Sequence, residues 1–179
     1  HDLGKPATTV EVDGRIRSPN HESEGVEPTR RFLDQLRAPG DLVAAVEVLV
    51  HHHLAPANFT SQEASPKAYR RLARKLDAGG MKAGILHRLA QADHFGRTTP
   101  DALAREFPAG DEFLRQVELL ELEEAGEPDV VLGRHLIARG YEPGPGFSGI
   151  LERCREIQDE TGWKNSEQIL ERYLSQEAG

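Results

Sequence analysis

Residues 41–54 read DLVAAVEVLVHHHL, and this stretch decides the predicted fold. It is apolar almost all round, which is typical of a helix enclosed by neighbouring helices. Asp41 is a favourable N-cap residue, so we expect the helix to begin beside it. Three adjacent histidines cannot share one helix face, so at least one of His51, His52 and His53 is expected to be exposed.

The flanking segments show the same helical spacing of apolar residues. Leu, Ala, Glu and Arg dominate the composition, which favours helices over sheet. VEVDGRIR is compatible with a short hairpin around Asp13-Gly14 and equally with a long functional loop, and no other strands are predicted. Ser166 is expected to cap the last helix. The sequence therefore predicts an all-α protein of about eight helices: a helical domain at 1–126 and a small helical subdomain at 127–179, separated by the Gly- and Pro-rich stretch GEPDVVLGRHLIARGYEPGPG.

Composition excludes several classes of function. The chain has 179 residues and a formal net charge of −8, which argues against nucleic-acid binding by bulk charge. Its one cysteine, Cys154, cannot form an internal disulfide and is expected to be inert packing. No apolar run approaches the roughly 20 residues that span a bilayer. We therefore expect a cytoplasmic protein without a membrane partner.

A carboxylate on the inner side of an apolar helix is the first sign of a site. Asp93 lies in MKAGILHRLAQADHFGR, where Ile85, Leu86 and Leu89 are expected to face inward. A buried unpaired carboxylate is costly, so Asp93 is expected to have a partner. Imidazole and carboxylate ligands suit Zn, Mn, Fe, Ni or Mg. A solvated His1 and exposed histidines are the alternative on spacing alone.

The opening residues HDLGKP resemble the signature of the HD superfamily of metal-dependent phosphohydrolases. His1-Asp2 match its doublet and Asp93 matches its final aspartate. The segment NHESEG resembles the intervening His-Glu segment and points to His21. The helix end VLVHHHLAP is similar to one branch of the superfamily, with His53 at the motif histidine and His52 as a weaker candidate.

That branch is the HD portion of bacterial tRNA nucleotidyltransferases, the CCA-adding and poly(A) polymerase-like proteins. The tail VLGRHLIARGYEPGPGFSGILERCREIQ is similar to their Gly-Arg-Asp-Leu…Pro-Gly-Pro segment, except that His135 stands where the motif usually has Asp. The resemblance therefore implies an HD-type helical bundle. It also implies that the superfamily's first histidine and a nucleotidyltransferase domain precede His1.

The resemblance implies hydrolysis of phosphomonoesters or 2′,3′-cyclic phosphates, with tRNA or other RNA ends as partners. Asp2 and Lys5 would be catalytic, Lys5 through its charge on a phosphate oxygen. The implied ligands of one or more divalent metal ions (Mg, Mn, Ni or Zn) are His1, Asp2, His21, His52, His53 and Asp93.

A basic helix face offers a second function class. Arg70, Arg71 and Arg74 recur at helical spacing and could contact an RNA backbone, although such faces are more often solvated. The alternative to a phosphohydrolase is therefore a non-catalytic RNA-binding or scaffolding tail of the nucleotidyltransferase.

Overall fold

The computed structural model describes residues 1–122 and 127–177. Helices make up 66% of it, which confirms the prediction of a mostly α-helical fold. The elements of the described residues are, in chain order, α1 (Lys5–Thr8), β1 (Val10–Val12), β2 (Arg15–Arg17), α2 (His21–Glu24), α3 (Val26–Gln35), α4 (Gly40–His52), α5 (Ala55–Ser61), α6 (Pro66–Ala78), α7 (Ala83–Phe95), α8 (Pro100–Leu103), α9 (Pro108–Leu119), α10 (Gly133–Ala138), α11 (Gly146–Thr161) and α12 (Ser166–Glu177).

Of the two alternatives for VEVDGRIR, the structure contains the hairpin. Strands β1 and β2 pair antiparallel, with Val10 opposite Arg17 and Val12 opposite Arg15. Asp13 and Gly14 both have positive φ, of 53° and 70°, as the two central residues of a type I′ turn require. All six strand residues are exposed, so the hairpin lies on the surface and contributes nothing to the core.

The chain divides into two compact units. The first comprises His1–Ala64 and Leu72–Gly126, and the second comprises Ser65–Arg71 and Glu127–Gly179. The predicted boundary at 126/127 adjoins residues 123–126, which lie outside the described residues.

In the first unit, α5 and α7 pack on α9, and α4 packs on α3 and α7. The core includes Leu76, Leu86 and Phe113, all at most 1% exposed. On α7 the buried residues recur at the three- and four-residue spacing of one helix face. Leu86 is buried as predicted, but Ile85 is 38% exposed because it precedes that face by one position.

Helix α4 is buried along one face, which includes Ala45 and Val50, and is not enclosed all round as the sequence predicts. Val50 and the following His53 are buried, whereas Leu42 near the start is 48% exposed. Asp41 is not the N-cap: the helix begins at Gly40, after Pro39, and the Asp41 carboxylate accepts the N–H of Leu42 instead.

The second unit contains α10, α11 and α12 around its own apolar core, which consists of Val131, Leu136, Cys154, Ile157, Ile169 and Leu170. Side chains accept backbone N–H groups at the starts of α10 and α12. His135 Nδ1 accepts the N–H of Leu132, a role for which a carboxylate at that position would also serve. The side-chain oxygen Oδ1 of Asn165 accepts the N–H groups of Glu167 and Gln168, so Asn165 rather than the predicted Ser166 caps α12.

Candidate metal centre

The His1-Asp2 doublet is fixed by the short helix that follows it. The Lys5 N–H donates to the carbonyl oxygen of Asp2, 3.0 Å away, which closes the first turn of the chain. Gly4 then passes against α2 so closely that a Cβ on Gly4 would lie 2.1 Å from the carbonyl oxygen of His21. Only glycine permits this approach, and it brings the doublet beside the His21 side chain.

His21 and His53 are oriented by backbone carbonyls. Nδ1 of His21 is 2.8 Å from the carbonyl oxygen of Ser18, and Nδ1 of His53 is 2.7 Å from that of Val50. A carbonyl oxygen only accepts hydrogen bonds, so each Nδ1 carries the proton. In each neutral ring the Nε2 lone pair is then directed at the other ligand atoms. Metal-binding histidines usually donate the N–H of the ring nitrogen that does not bind the metal to such an acceptor.

The two Nε2 atoms, of His21 and His53, lie 3.2 Å apart. If both rings are neutral with Nδ1 protonated, neither Nε2 carries a hydrogen for this contact, and the two lone pairs would repel. Burial lowers the pKa of His53, which keeps that ring neutral at pH 7. A cation between the two nitrogens would turn this repulsion into coordination.

His1 lies between the two carboxylates. Its Nε2 is 3.2 Å from Oδ1 of Asp93 and 3.4 Å from Oδ1 of Asp2. Oδ1 of Asp2 is also 3.6 Å from Nε2 of His21. Among the described residues this Asp2 oxygen is buried and makes no hydrogen bond, although the Asp2 side chain as a whole is 41% exposed. An unpartnered buried carboxylate oxygen is costly and calls for a positive charge.

The separations between these atoms suit coordination of one or more cations. Nitrogen and oxygen ligands lie about 2.0–2.2 Å from Zn²⁺, so two ligands of one ion are about 3.0 Å apart at right angles and about 3.4 Å apart at the tetrahedral angle. The four contacts measured here are between 3.2 and 3.6 Å. Ligand atoms of His1, Asp2 and His53 all lie within 4.8 Å of one another. The donor set therefore fits a divalent metal ion.

Two cationic side chains hold the outer oxygens of the carboxylates. Lys5 Nζ donates to Oδ2 of Asp2 at 2.6 Å, and Arg97 Nη2 donates to Oδ2 of Asp93 at 2.6 Å. Each carboxylate thus directs one oxygen at His1 and the other at a cation. The whole group lines a cavity of about 560 Å³, together with the apolar side chains of Leu54 and Leu89.

His52 is the predicted ligand that the structure does not bring to this cavity. Its ring packs against His51, with centroids 4.5 Å apart, and burial lowers its pKa to about 4. The reason is geometric: successive helical residues point about 100° apart, so when His53 faces the cavity His52 cannot. His1, Asp2, Lys5, His21, His53 and Asp93 line this one cavity together.

The three arginines of α6 do not form a common exposed basic face. In the second unit, Arg70 is 12% exposed and donates to the carbonyl oxygen of Asp159, while Arg71 bonds Glu156. In the first unit, both terminal nitrogens of Arg74 are buried. Of the three arginines, Arg71 is the one with a half-exposed side chain.

Sequence reasoning missed Arg97 and Gly4. The signal for Arg97 was its spacing of four residues after Asp93, which puts a cation beside that carboxylate on a helix face. The signal for Gly4 was a glycine two residues after the doublet, but the sequence does not show which chain segment it approaches.

Among the described residues, no helix is both long and apolar enough to span a membrane. No protein-family model, curated protein or solved structure matches this chain. The resemblance to the HD superfamily and its tRNA nucleotidyltransferase branch therefore stays a prediction that rests on the motifs quoted above.

Proposed function

We propose that the chain is a divalent-metal-dependent phosphohydrolase module of HD type, which acts on phosphomonoesters or 2′,3′-cyclic phosphates and belongs to a tRNA nucleotidyltransferase-like protein. The observation that carries the proposal is the buried, unpartnered Oδ1 of Asp2, which faces the Nε2 atoms of His1 and His21. The converging lone pairs of His21 and His53 add independent support.

The residues that would hold the metal are His1, Asp2, His21, His53 and Asp93. When bound, a divalent ion in such a site polarises a phosphoryl oxygen and lowers the pKa of water. The carbonyls of Ser18 and Val50 keep two of the imidazoles in the tautomer that leaves Nε2 unprotonated. Leu54 and Leu89 provide an apolar wall to the cavity.

Lys5 has a defined part in this proposal. It is half-exposed at the cavity and bonds only the outer oxygen of Asp2 in the described residues. Its ammonium group is therefore placed to hold Asp2 and to bind an anionic substrate at the same time. Because the Lys5 ammonium group lies beside the metal ligands, the site favours an anionic phosphoester over a neutral substrate.

The competing RNA-binding role has less support. Arg70 and Arg71 are engaged by acceptors of the second unit, and Arg74 has buried terminal nitrogens. The net charge of −8 also opposes a wide electrostatic footprint. RNA ends remain in the proposal as the carriers of the phosphoester.

The test measures metal and turnover in one set of proteins. Protein dialysed against Mg, Mn, Ni or Zn is analysed for bound metal and assayed with p-nitrophenyl phosphate and a 2′,3′-cyclic nucleotide. We expect bound metal, metal-dependent turnover, and loss of both in Asp2→Ala. Asp13→Asn is the matched control, since Asp13 is an exposed turn residue whose positive φ asparagine tolerates.

Wild-type protein that binds none of these metals and hydrolyses neither substrate would contradict the proposal. So would an Asp2→Ala variant that remains folded and fully active. Only a binding or scaffolding role would then be left.

A further inference from the structure

The lining of the cavity at the candidate metal centre includes the positively charged side chain of Arg97, which is not itself a metal ligand. Arg97 follows the end of α7 and is 49% exposed. Within the described part of the chain, its guanidinium bonds a single acceptor, Oδ2 of Asp93, which it reaches through Nη2. A guanidinium has five N–H donors, so most of its donors remain directed to solvent at the cavity.

The charges of the cavity lining indicate what the site attracts. The carboxylates of Asp2 and Asp93 are offset by the side chains of Lys5 and Arg97. A divalent metal ion held by neutral imidazoles and these carboxylates would therefore leave the cavity with an excess of about two positive charges. A phosphate monoester near pH 7 carries about 1.5 to 2 negative charges, whereas a phosphodiester carries one.

The shape of the donors points the same way. Arginine presents N–H groups in a planar fork that fits two oxygens of one phosphate. A monoester has three non-bridging oxygens, so it can bond a metal ion and still offer two oxygens to a guanidinium. A diester has only two, and its second ester group occupies the space where the third would be.

We infer that Arg97 is a specificity-determining residue that binds the non-bridging oxygens of a phosphate monoester and makes the site prefer monoesters to diesters. This inference rests on the proposed function, because it places the substrate phosphate beside the metal ligands. Arg97 also holds Asp93, so the test must separate contact with substrate from positioning of a ligand.

The variants are chosen for that separation. Arg97→Gln keeps an N–H group for Asp93 but removes the positive charge and the fork. Arg97→Lys keeps the charge and loses the fork. Arg88→Gln is the matched control, since Arg88 is an exposed arginine on the same helix α7 and lies outside the cavity lining.

The measurements are bound metal, the Kd of inorganic phosphate by titration calorimetry, and kcat/KM for two substrates with the same leaving group, p-nitrophenyl phosphate and bis(p-nitrophenyl) phosphate. In Arg97→Gln we expect unchanged metal content, phosphate binding about 10- to 100-fold weaker, and a loss of similar size in kcat/KM for the monoester. The diester should lose less than about 3-fold, because it lacks the oxygens that the fork binds. Arg97→Lys should recover part of the phosphate affinity, and Arg88→Gln should behave as wild type.

Two results would overturn the inference. Equal losses on both substrates together with lost metal would make Arg97 a positioning residue of Asp93, and unchanged phosphate binding would give it no role. Wild-type protein without metal or turnover would instead overturn the proposed function itself, and this inference with it.

Discussion

Asp2→Asn should lower the stability of the first unit in the presence of metal and leave it nearly unchanged without metal. In wild-type protein a divalent ion at 100 times its Kd stabilises the folded state by about 2.7 kcal/mol. For a unit of about 120 residues, the entropy of unfolding is about 0.25 kcal/mol per kelvin, so this gain raises Tm by about 11 °C.

The variant keeps the shape of the side chain but loses the charge. If it weakens metal binding about 100-fold, the same metal concentration equals the new Kd and the gain falls to about 0.4 kcal/mol, or about 2 °C. In EDTA two effects oppose each other. The half-exposed Lys5–Asp2 ion pair is lost, which costs about 0.2 to 1 kcal/mol. The buried unpartnered Oδ1 charge is also removed, which recovers a similar amount.

The assay is differential scanning calorimetry of wild type, Asp2→Asn and Asp13→Asn, each in EDTA and in excess metal. Intrinsic fluorescence is unsuitable, because Trp163 and all three tyrosines belong to the second unit. We expect wild type and Asp13→Asn to gain about 11 °C with metal and Asp2→Asn about 2 °C, with all three within about 4 °C of one another in EDTA. Equal metal-induced shifts in Asp2→Asn and wild type would refute the reasoning.

Three further predictions follow from other residues. Gly4→Ala should destabilise the first unit and reduce its metal content, because the added Cβ would lie 2.1 Å from the His21 carbonyl oxygen. The measurement is a chemical denaturation series. Its control is Gly40→Ala, whose added Cβ would meet no neighbouring atom of the described residues within 4 Å. His52 has a folded-state pKa of about 4 against an ordinary 6.5, so the unfolded state takes up its proton first. Stability should thus fall by up to about 3 kcal/mol as pH drops from about 6.5 to about 4, and His52→Gln should flatten that part of the stability–pH profile; an unchanged profile would contradict this. Burial raises the pKa of the Cys154 thiol to about 11, so its reaction with a thiol reagent at pH 8 should become fast only on unfolding, and rapid modification of native protein would show the thiol to be accessible.

The hairpin and the helix faces were within reach of sequence analysis because their signals are local. Asp13-Gly14 fits a turn that needs two positive φ values, and the turn forms there. The caps were placed less well. The sequence offers several acceptors near each helix start, and Asn165 competes with Ser166 one residue away. Which of these side chains reaches the free N–H groups of the first turn is decided only when the helix has formed.

The arrangement around the cavity depended on contacts between distant segments. Periodicity could show that His51, His52 and His53 point in different directions. It could not show which of them faces α2 and α7. The cation Arg97 and the carbonyls that orient His21 and His53 carry no motif of their own. Their roles follow from distances that a sequence does not contain.

The most direct test is an anomalous diffraction map of crystals grown with Mn²⁺ or Zn²⁺. We predict a peak bounded by Nε2 of His1, His21 or His53 and Oδ1 of Asp2 or Asp93, with at least three of these atoms at bonding distance. A fully supplied crystal with no peak in this cavity, or with its strongest peak on surface carboxylates elsewhere, would contradict the account.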